Sequence, residues 1–117
     1  MNVKPMAKED LKNALDVASL FCSEVKSKIY IYVLMHPECL IEEIAEATNI
    51  YPSTVRESIY EMFQDNQVSR EKITREGLGK KPYCYTAIKP ELVLRPIKEK
   101  FVNKLNILTS YDPEVKK

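Results

Sequence analysis

Residues 47 to 62 read ATNIYPSTVRESIYEM, a stretch in which a turn signal separates two helical patterns. Asn49 can adopt the left-handed backbone conformation that a tight turn between helices requires. Pro52 suits the first position of a helix, because the amide hydrogen that proline lacks would have no partner there. After it, apolar residues recur at helical spacing at Val55, Ile59, Met62 and Phe63. The stretch therefore predicts a turn followed by a helix over 52–66.

The patterns on either side of this stretch complete the expected architecture. Apolar periodicity indicates an N-terminal helix over 8–22, two further helices before the turn, and a long helix over 90–110. Two runs with a period of two, on either side of the turn REGLGKKP, predict an antiparallel hairpin. We expect one domain over 1–117, with its core in residues 23–88.

Composition and length limit the class of protein. The chain has 117 residues, of which 44% are hydrophobic and 30% are charged, as in an ordinary globular domain. No apolar run approaches the roughly 18 residues of a membrane span, and the N-terminus lacks a signal-peptide pattern. Three widely spaced cysteines do not suggest a disulfide framework. These features predict a cytoplasmic protein without a membrane partner.

The positive charge is concentrated in one part of the chain. The formal net charge is only +1, but residues 69 to 89 carry six Lys or Arg against two Glu. A local basic patch matters more for nucleic-acid binding than the total charge does. The expected hairpin is therefore a candidate phosphate-binding element.

The order of elements and the spacing around the turn resemble the winged helix-turn-helix fold. A small residue at Ala45, a turn residue at Asn49 and an aliphatic residue at Val55 fit the motif of that family. The chain is most similar to the DNA-binding domains of TrmB-like, ArsR and MarR regulators. The resemblance implies a mainly α (α+β) fold, with a two-stranded β-hairpin wing and flanking N- and C-terminal helices. It also implies sequence-specific binding of double-stranded DNA by a transcriptional regulator.

The resemblance places helix 52–66 in the major groove as the recognition helix. Ser53, Thr54 and Arg56 would contact phosphates or base edges, and the tyrosines could donate hydrogen bonds to phosphate. The alternative is an ordinary solvated helix face, which Glu57 and Glu61 favour because they repel phosphate. The candidate DNA-binding residues of this helix are Tyr51, Ser53, Thr54, Arg56, Glu57 and Tyr60.

In the same way, the loop over 75–82 would be the wing, lying on the DNA backbone or in the minor groove. Strand alternation predicts that the basic residues of the strand before the loop share one side. The alternative is an ordinary hairpin kept soluble by its charges. The candidate wing residues are Arg70, Lys72, Arg75, Lys80 and Lys81.

The two outer helices each carry an apolar stripe that a lone helix cannot cover. We expect a second copy to cover them, which predicts a homodimer whose recognition helices meet successive major grooves. The alternative is that both helices fold back on their own core. The candidate dimerisation residues are Leu11, Leu15, Ala18, Leu94, Ile97, Phe101, Leu105 and Leu108.

Other chemistry has little support in the sequence. One histidine and no recognisable nucleophile motif predict that the chain is not an enzyme. His36 and Cys39 have metal-ligand spacing, with Cys22 and Cys84 as the other possible thiol ligands, but lone packed cysteines are common. We therefore predict no metal and no cofactor, and the sequence leaves open a cysteine switch and an effector ligand. The main alternative function is a winged-helix module that binds another protein.

Overall fold

The computed structural model describes residues 3–73 and 83–114. Their elements, in chain order, are α1 (Lys8–Asp16), α2 (Ala18–Phe21), α3 (Glu24–Met35), α4 (Ile41–Thr48), α5 (Pro52–Gln64), β1 (Val68–Lys72), β2 (Tyr83–Ala87) and α6 (Pro90–Thr109). The two strands pair antiparallel, with Val68 opposite Ala87 and Lys72 opposite Tyr83. The order of helices and hairpin is the one the sequence predicts.

The N-terminal region differs from the expected single helix over 8–22. The chain turns at Val17 (φ −102°, ψ 7°), so α1 and α2 are separate helices. This turn brings Phe21 against the core, where its ring centroid lies 5.0 Å from that of Tyr30. The left-handed residue Cys22 (φ 55°) then ends α2. Burial of Phe21 thus explains the break, because a straight helix would continue past the core.

Three helices end at a left-handed residue that lets the chain reverse. After α2 this residue is Cys22, after α4 it is Asn49 (φ 58°), and after α5 it is Asn66 (φ 58°). The Gln67 amide donates to the Met62 carbonyl at 2.8 Å, and the Asn66 amide donates to that of Phe63 at 3.2 Å. This is the Schellman pattern, which satisfies the last carbonyls of a helix. It ends α5 at Gln64, two residues before the predicted end at Asn66.

Helix α3 is the centre of the core. Ile29 and Val33 are fully buried there, and Ser27 donates its hydroxyl hydrogen to the Ala14 carbonyl at 2.6 Å, which ties α3 to α1. Ser23 caps α3 by accepting a hydrogen bond from the Lys26 amide at 3.1 Å, as the sequence predicts. From α4, α5 and β1 the residues that complete the core are Ile44, Val55, Ile59, Met62 and Val68.

The hairpin is joined to the helical core through the link between α3 and α4. Cys39 and Tyr85 form an antiparallel bridge, with hydrogen bonds of 3.0 Å and 2.8 Å between their backbone groups. Beside it, the Glu38 amide donates to the Thr86 hydroxyl oxygen at 3.1 Å. Strand β2 therefore has a backbone partner on both edges, which holds the hairpin base against the helices.

Helix α6 projects from the rest of the chain. Val93 is its only buried residue, and every residue from Lys98 to Thr109 is exposed. The radius of gyration is 17.5 Å, whereas a compact chain of this length would have about 13 Å. Within the described residues, no helix is both long and apolar enough to cross a bilayer.

Candidate nucleic-acid interface

The turn between α4 and α5 fixes the position of the candidate recognition helix. Ala45 is buried where the two helices meet, and its carbonyl oxygen accepts a hydrogen bond from the Ile50 amide at 3.2 Å. Asn49 is in the left-handed conformation between them. Val55 is fully buried. The small residue, the turn residue and the aliphatic residue of the predicted motif therefore each have the conformation or burial that the motif requires. Pro52 is the first residue of α5, also as predicted.

The outer face of α5 is open to solvent. Val55, Ile59 and Met62 are fully buried on the inner face. Tyr51, which precedes the helix, is 82% exposed, and Tyr60 is 52% exposed. The other predicted contact residues of this helix are exposed too, namely Ser53, Thr54, Arg56 and Glu57. Hydroxyl groups and one guanidinium are therefore presented together at the N-terminal end of a rigidly held helix.

One acidic residue on α5 is neutralised from another helix. The Lys26 Nζ atom on α3 lies 3.1 Å from the Glu61 Oε1 atom. Further along the same face, the Gln64 side-chain amide donates to the Tyr60 hydroxyl oxygen at 3.3 Å. The pairing of Glu61 with Lys26 reduces the repulsion between this helix face and a nearby phosphate. Glu57 is the one acidic residue among the predicted contact residues of α5, and it is exposed.

At the base of the hairpin, the two basic strand residues have different surroundings. Lys72 is exposed, at the last described pair before the loop. Arg70 is partly buried, with its guanidinium carbon 4.2 Å from the ring centroid of Phe63 and 4.3 Å from that of Tyr83. The predicted wing residues Arg75, Lys80 and Lys81 lie outside the described residues.

Tyr85, opposite Arg70 in the sheet, lies at the centre of this region. It is 5% exposed, and burial raises the pKa of its hydroxyl. Interaction with Arg70, and more weakly the charge of Arg56, offset part of that rise in pKa. The candidate base-reading residue Arg56 is thus close enough to Tyr85 for its charge to act on the hydroxyl at the hairpin base.

The predicted dimerisation residues fall into two groups by exposure. Phe101, Leu105 and Leu108 on the projecting part of α6 are 62%, 47% and 70% exposed, and Leu15 on α1 is 51% exposed. The remaining ones are partly buried, namely Leu11, Ala18, Leu94 and Ile97, and of these Ile97 packs against the core. The exposed members form a contiguous apolar stripe only on α6.

The cysteines occupy unlike environments. Cys22 is exposed, whereas Cys39 and Cys84 are buried. Burial, reinforced by the charge of Glu43, raises the pKa of the Cys39 thiol to about 12, so it is protonated near neutral pH. His36 stacks on Tyr32 at the end of α3, and its Nδ1 atom lies 3.0 Å from the Tyr32 carbonyl oxygen. Among the described residues, no three His, Cys, Asp or Glu side chains are grouped as a metal site would require.

Sequence reasoning missed several residues that shape this surface. Lys26 lies 35 positions before its partner Glu61, and no local pattern connects the two. The contacts of the Phe63 and Tyr83 rings with the Arg70 guanidinium also join residues that are far apart in the sequence or on different elements. Val102 and Ile107 on α6 are also exposed, 47% and 59%, and they widen its apolar stripe. A helical-wheel plot that included all apolar residues would have found this last pair.

The backbone of the chain is similar to solved structures of two regulators. One is described as a possible transcriptional regulator from Methanosarcina mazei, with a TM-score of 0.64 and 14% sequence identity over 87% of this chain and 88% of that one. The fold is a winged helix-turn-helix. The second structure is a MarR protein from Peptoclostridium difficile, with a TM-score of 0.55 and 14% identity over 92% of this chain and 70% of that one.

The sequence itself gives no closer assignment within the winged-helix proteins. No protein-family model matches it, and no curated protein matches it in sequence. The predicted fold class is confirmed by the structural similarity, and at 14% identity that similarity establishes the fold alone. In this fold α4 and α5 are the helix-turn-helix and the β1–β2 hairpin is the wing.

Proposed function

We propose that the chain is a sequence-specific, double-stranded DNA-binding transcriptional regulator that acts as a homodimer in the cytoplasm and is not an enzyme. The observation that carries this proposal is the outer face of α5. There Ser53, Thr54 and Arg56 are exposed at the N-terminal end of a helix whose opposite side is fully buried. Two structural neighbours, one described as a possible transcriptional regulator and one as a MarR protein, support the proposal.

In the proposed complex, the first turn of α5 enters the major groove. Arg56 reads a guanine, and the hydroxyls of Ser53 and Thr54 contact phosphates or base edges. Tyr51 and Tyr60 donate to the flanking phosphates, while Glu57 accepts from a cytosine amino group or disfavours other bases. Lys72, together with Arg75, Lys80 and Lys81 of the wing, supplies the charge that α5 lacks.

The homodimer would form through the C-terminal helix, residues 90–110. About half of α6 extends beyond the core with Phe101, Leu105 and Leu108 exposed along one side. An isolated helix of this length is marginal in water, and a symmetric pair would bury both stripes. Such a pair would place two recognition helices about 34 Å apart on the DNA, one helical turn along it.

The test is selection of bound fragments from the source genome, followed by titration of the recovered site. We expect a short, two-fold symmetric sequence to be enriched. Arg56→Ala should lower the preference for that site by about 1–3 kcal/mol. Lys80→Ala should weaken binding to all duplexes and reduce the slope of log affinity against log salt by about one. Failure of the wild-type chain to bind any fragment at low salt would reject the proposal.

A second candidate function is a winged-helix module that binds protein rather than DNA. Glu57 and Asp65 favour it, because both are exposed carboxylates, one near the middle of α5 and one at its C-terminal cap. A basic partner surface would suit that face better than a phosphate backbone would. Recovery of one stoichiometric protein partner, unchanged by nuclease and lost in Glu57→Lys, would favour this function over the first.

A further inference from the structure

Arg70 occupies a position between the end of the recognition helix and the start of the wing. Its guanidinium carbon is 4.2 Å from the ring centroid of Phe63 on α5 and 4.3 Å from that of Tyr83 on β2. A planar guanidinium this close to two aromatic rings is stabilised by stacking on them and by electrostatic attraction to their π faces. Arg70 on β1 thus adds a side-chain connection between the end of α5 and β2, beside the core contacts of Met62 and Val68.

The strand geometry explains why Arg70 takes this position while Lys72 does not. Val68, Arg70 and Lys72 alternate onto one face of β1, and burial decreases outward along that face from Val68, through Arg70, to Lys72. Phe63 lies at the C-terminal end of α5, where the Schellman turn brings β1 back beside the helix. Arg70 is therefore the basic residue of β1 that lies beside the Phe63 ring.

We propose that Arg70 is a positioning residue that sets the direction in which the wing leaves the core, rather than a phosphate contact. The inference rests on the proposed DNA-binding function. Lys72 pairs with Tyr83 in the last described pair before the loop, so the Tyr83 ring that Arg70 contacts lies at the described end of the hairpin. Arg70 would act through Phe63 and Tyr83, by holding the hairpin at one angle to the recognition helix.

The test compares Arg70→Lys with Phe63→Leu in DNA binding. Arg70→Lys keeps the positive charge but loses the planar group between the rings, and Phe63→Leu removes one ring without changing any charge. We expect each to lower affinity for the selected site roughly fivefold and to flatten the salt dependence, because the wing lysines lose their phosphates. In a Lys80→Ala/Lys81→Ala background the two substitutions should have little further effect.

Lys72→Gln is the comparison for a residue that makes one phosphate contact. It should reduce the slope of log affinity against log salt by about 0.9, and its effect should add to that of Lys80→Ala. If Arg70→Lys keeps wild-type affinity and slope while Arg70→Gln behaves like Lys72→Gln, Arg70 is a phosphate contact and the inference is wrong. It is equally wrong if Phe63→Leu leaves DNA binding unchanged.

A measurement without DNA separates this inference from the proposed function. Amide hydrogen exchange of the hairpin residues should become faster in Arg70→Lys than in wild type, relative to the amide of the fully buried Val33 on α3. Unchanged hairpin exchange would overturn the positioning role. If wild type binds no DNA but Arg70→Lys loosens the hairpin, the proposed function fails and the positioning role of Arg70 stands.

Discussion

The Tyr30 hydroxyl on α3 donates a hydrogen bond of 2.5 Å to the carbonyl oxygen of Ile88, the residue that follows β2 by one position. The Ile88 amide in turn donates to the Gln67 carbonyl at 3.0 Å, at the entry to β1. Tyr30 is 5% exposed. This hydrogen bond therefore ties the central helix to the point where the hairpin ends and α6 begins.

Tyr30 should make the stability of the fold depend on alkaline pH. Burial raises the pKa of its hydroxyl from 10.0 to about 12, because the phenolate would lose its contact with water. The folded state then holds a proton that the unfolded state releases above pH 10. The stabilisation is fully present below pH 10 and is lost as pH rises toward 12, at up to about 1.4 kcal/mol per pH unit.

Tyr30→Phe tests this dependence by urea unfolding between pH 8 and pH 12. At pH 8 the variant should lose about 1 kcal/mol, because the Ile88 carbonyl loses its donor. Above pH 10 its free energy of unfolding should fall less steeply than that of wild type, although Tyr32 and Tyr85, whose pKa values are also raised, leave some slope. Parallel curves for the two proteins would contradict this account.

Lys26 should affect DNA binding without touching DNA. Lys26→Gln leaves Glu61 without the partner that lies 3.1 Å away, and so adds a negative charge to the α5 face. We expect DNA affinity to fall a few-fold at low salt, consistent with the ~0.2–1 kcal/mol of a surface pair, and the effect to shrink at high salt. Titration by fluorescence anisotropy would measure it.

Two further variants separate pairing from the general loss of a positive charge. Lys28→Gln removes the same charge from the same helix without breaking the pair with Glu61. The double variant Lys26→Gln/Glu61→Gln should recover most of the lost affinity. Equal losses in Lys26→Gln and Lys28→Gln would mean that the pairing of Glu61 is irrelevant to DNA binding.

Asn49 should tolerate glycine better than alanine, because asparagine and glycine adopt the left-handed conformation more readily than alanine does. Its backbone lies in the left-handed region (φ 58°, ψ 37°), which costs a residue with a Cβ atom roughly 1–2 kcal/mol and costs glycine nothing comparable. Asn49→Ala should lower the free energy of unfolding by about 1 kcal/mol, whereas Asn49→Gly should leave it within about 0.5 kcal/mol of wild type. Asn13→Ala, the same change within α1, should be close to neutral.

The apolar stripe of α6 should control the oligomeric state. Leu105→Asp places a charge in the middle of the stripe, and we expect it to convert a dimer of about twice 13.6 kDa into a monomer. Light scattering coupled to size exclusion would measure the mass, and the monomer should also lose cooperative binding to a two-fold symmetric site. Asn103→Asp adds the same charge at an exposed polar position of α6 and should remain dimeric. A wild-type mass of 13.6 kDa would reject the dimer.

Local sequence signals predicted the elements of this fold closely. Pro52 and Pro90 each open a helix, Ser23 caps α3, and Asn49 takes the left-handed turn. These signals succeed because caps, turns and proline depend on the backbone of a few consecutive residues. The break at Val17 was missed, since it follows from burying Phe21 against Tyr30, which lies in another helix.

The sequence by itself therefore determined the helices and turns from Ser23 onward, and which face of α5 is available for contact. Only the tertiary structure decided which charges remain at that face. Glu61 is paired with Lys26 on another helix, and Arg70 is held between Phe63 and Tyr83, although all five are ordinary surface or core residues in the local pattern. The physical reason is that electrostatic and stacking interactions depend on distances of about 3–6 Å between side chains. Those distances are set by packing rather than by position along the chain.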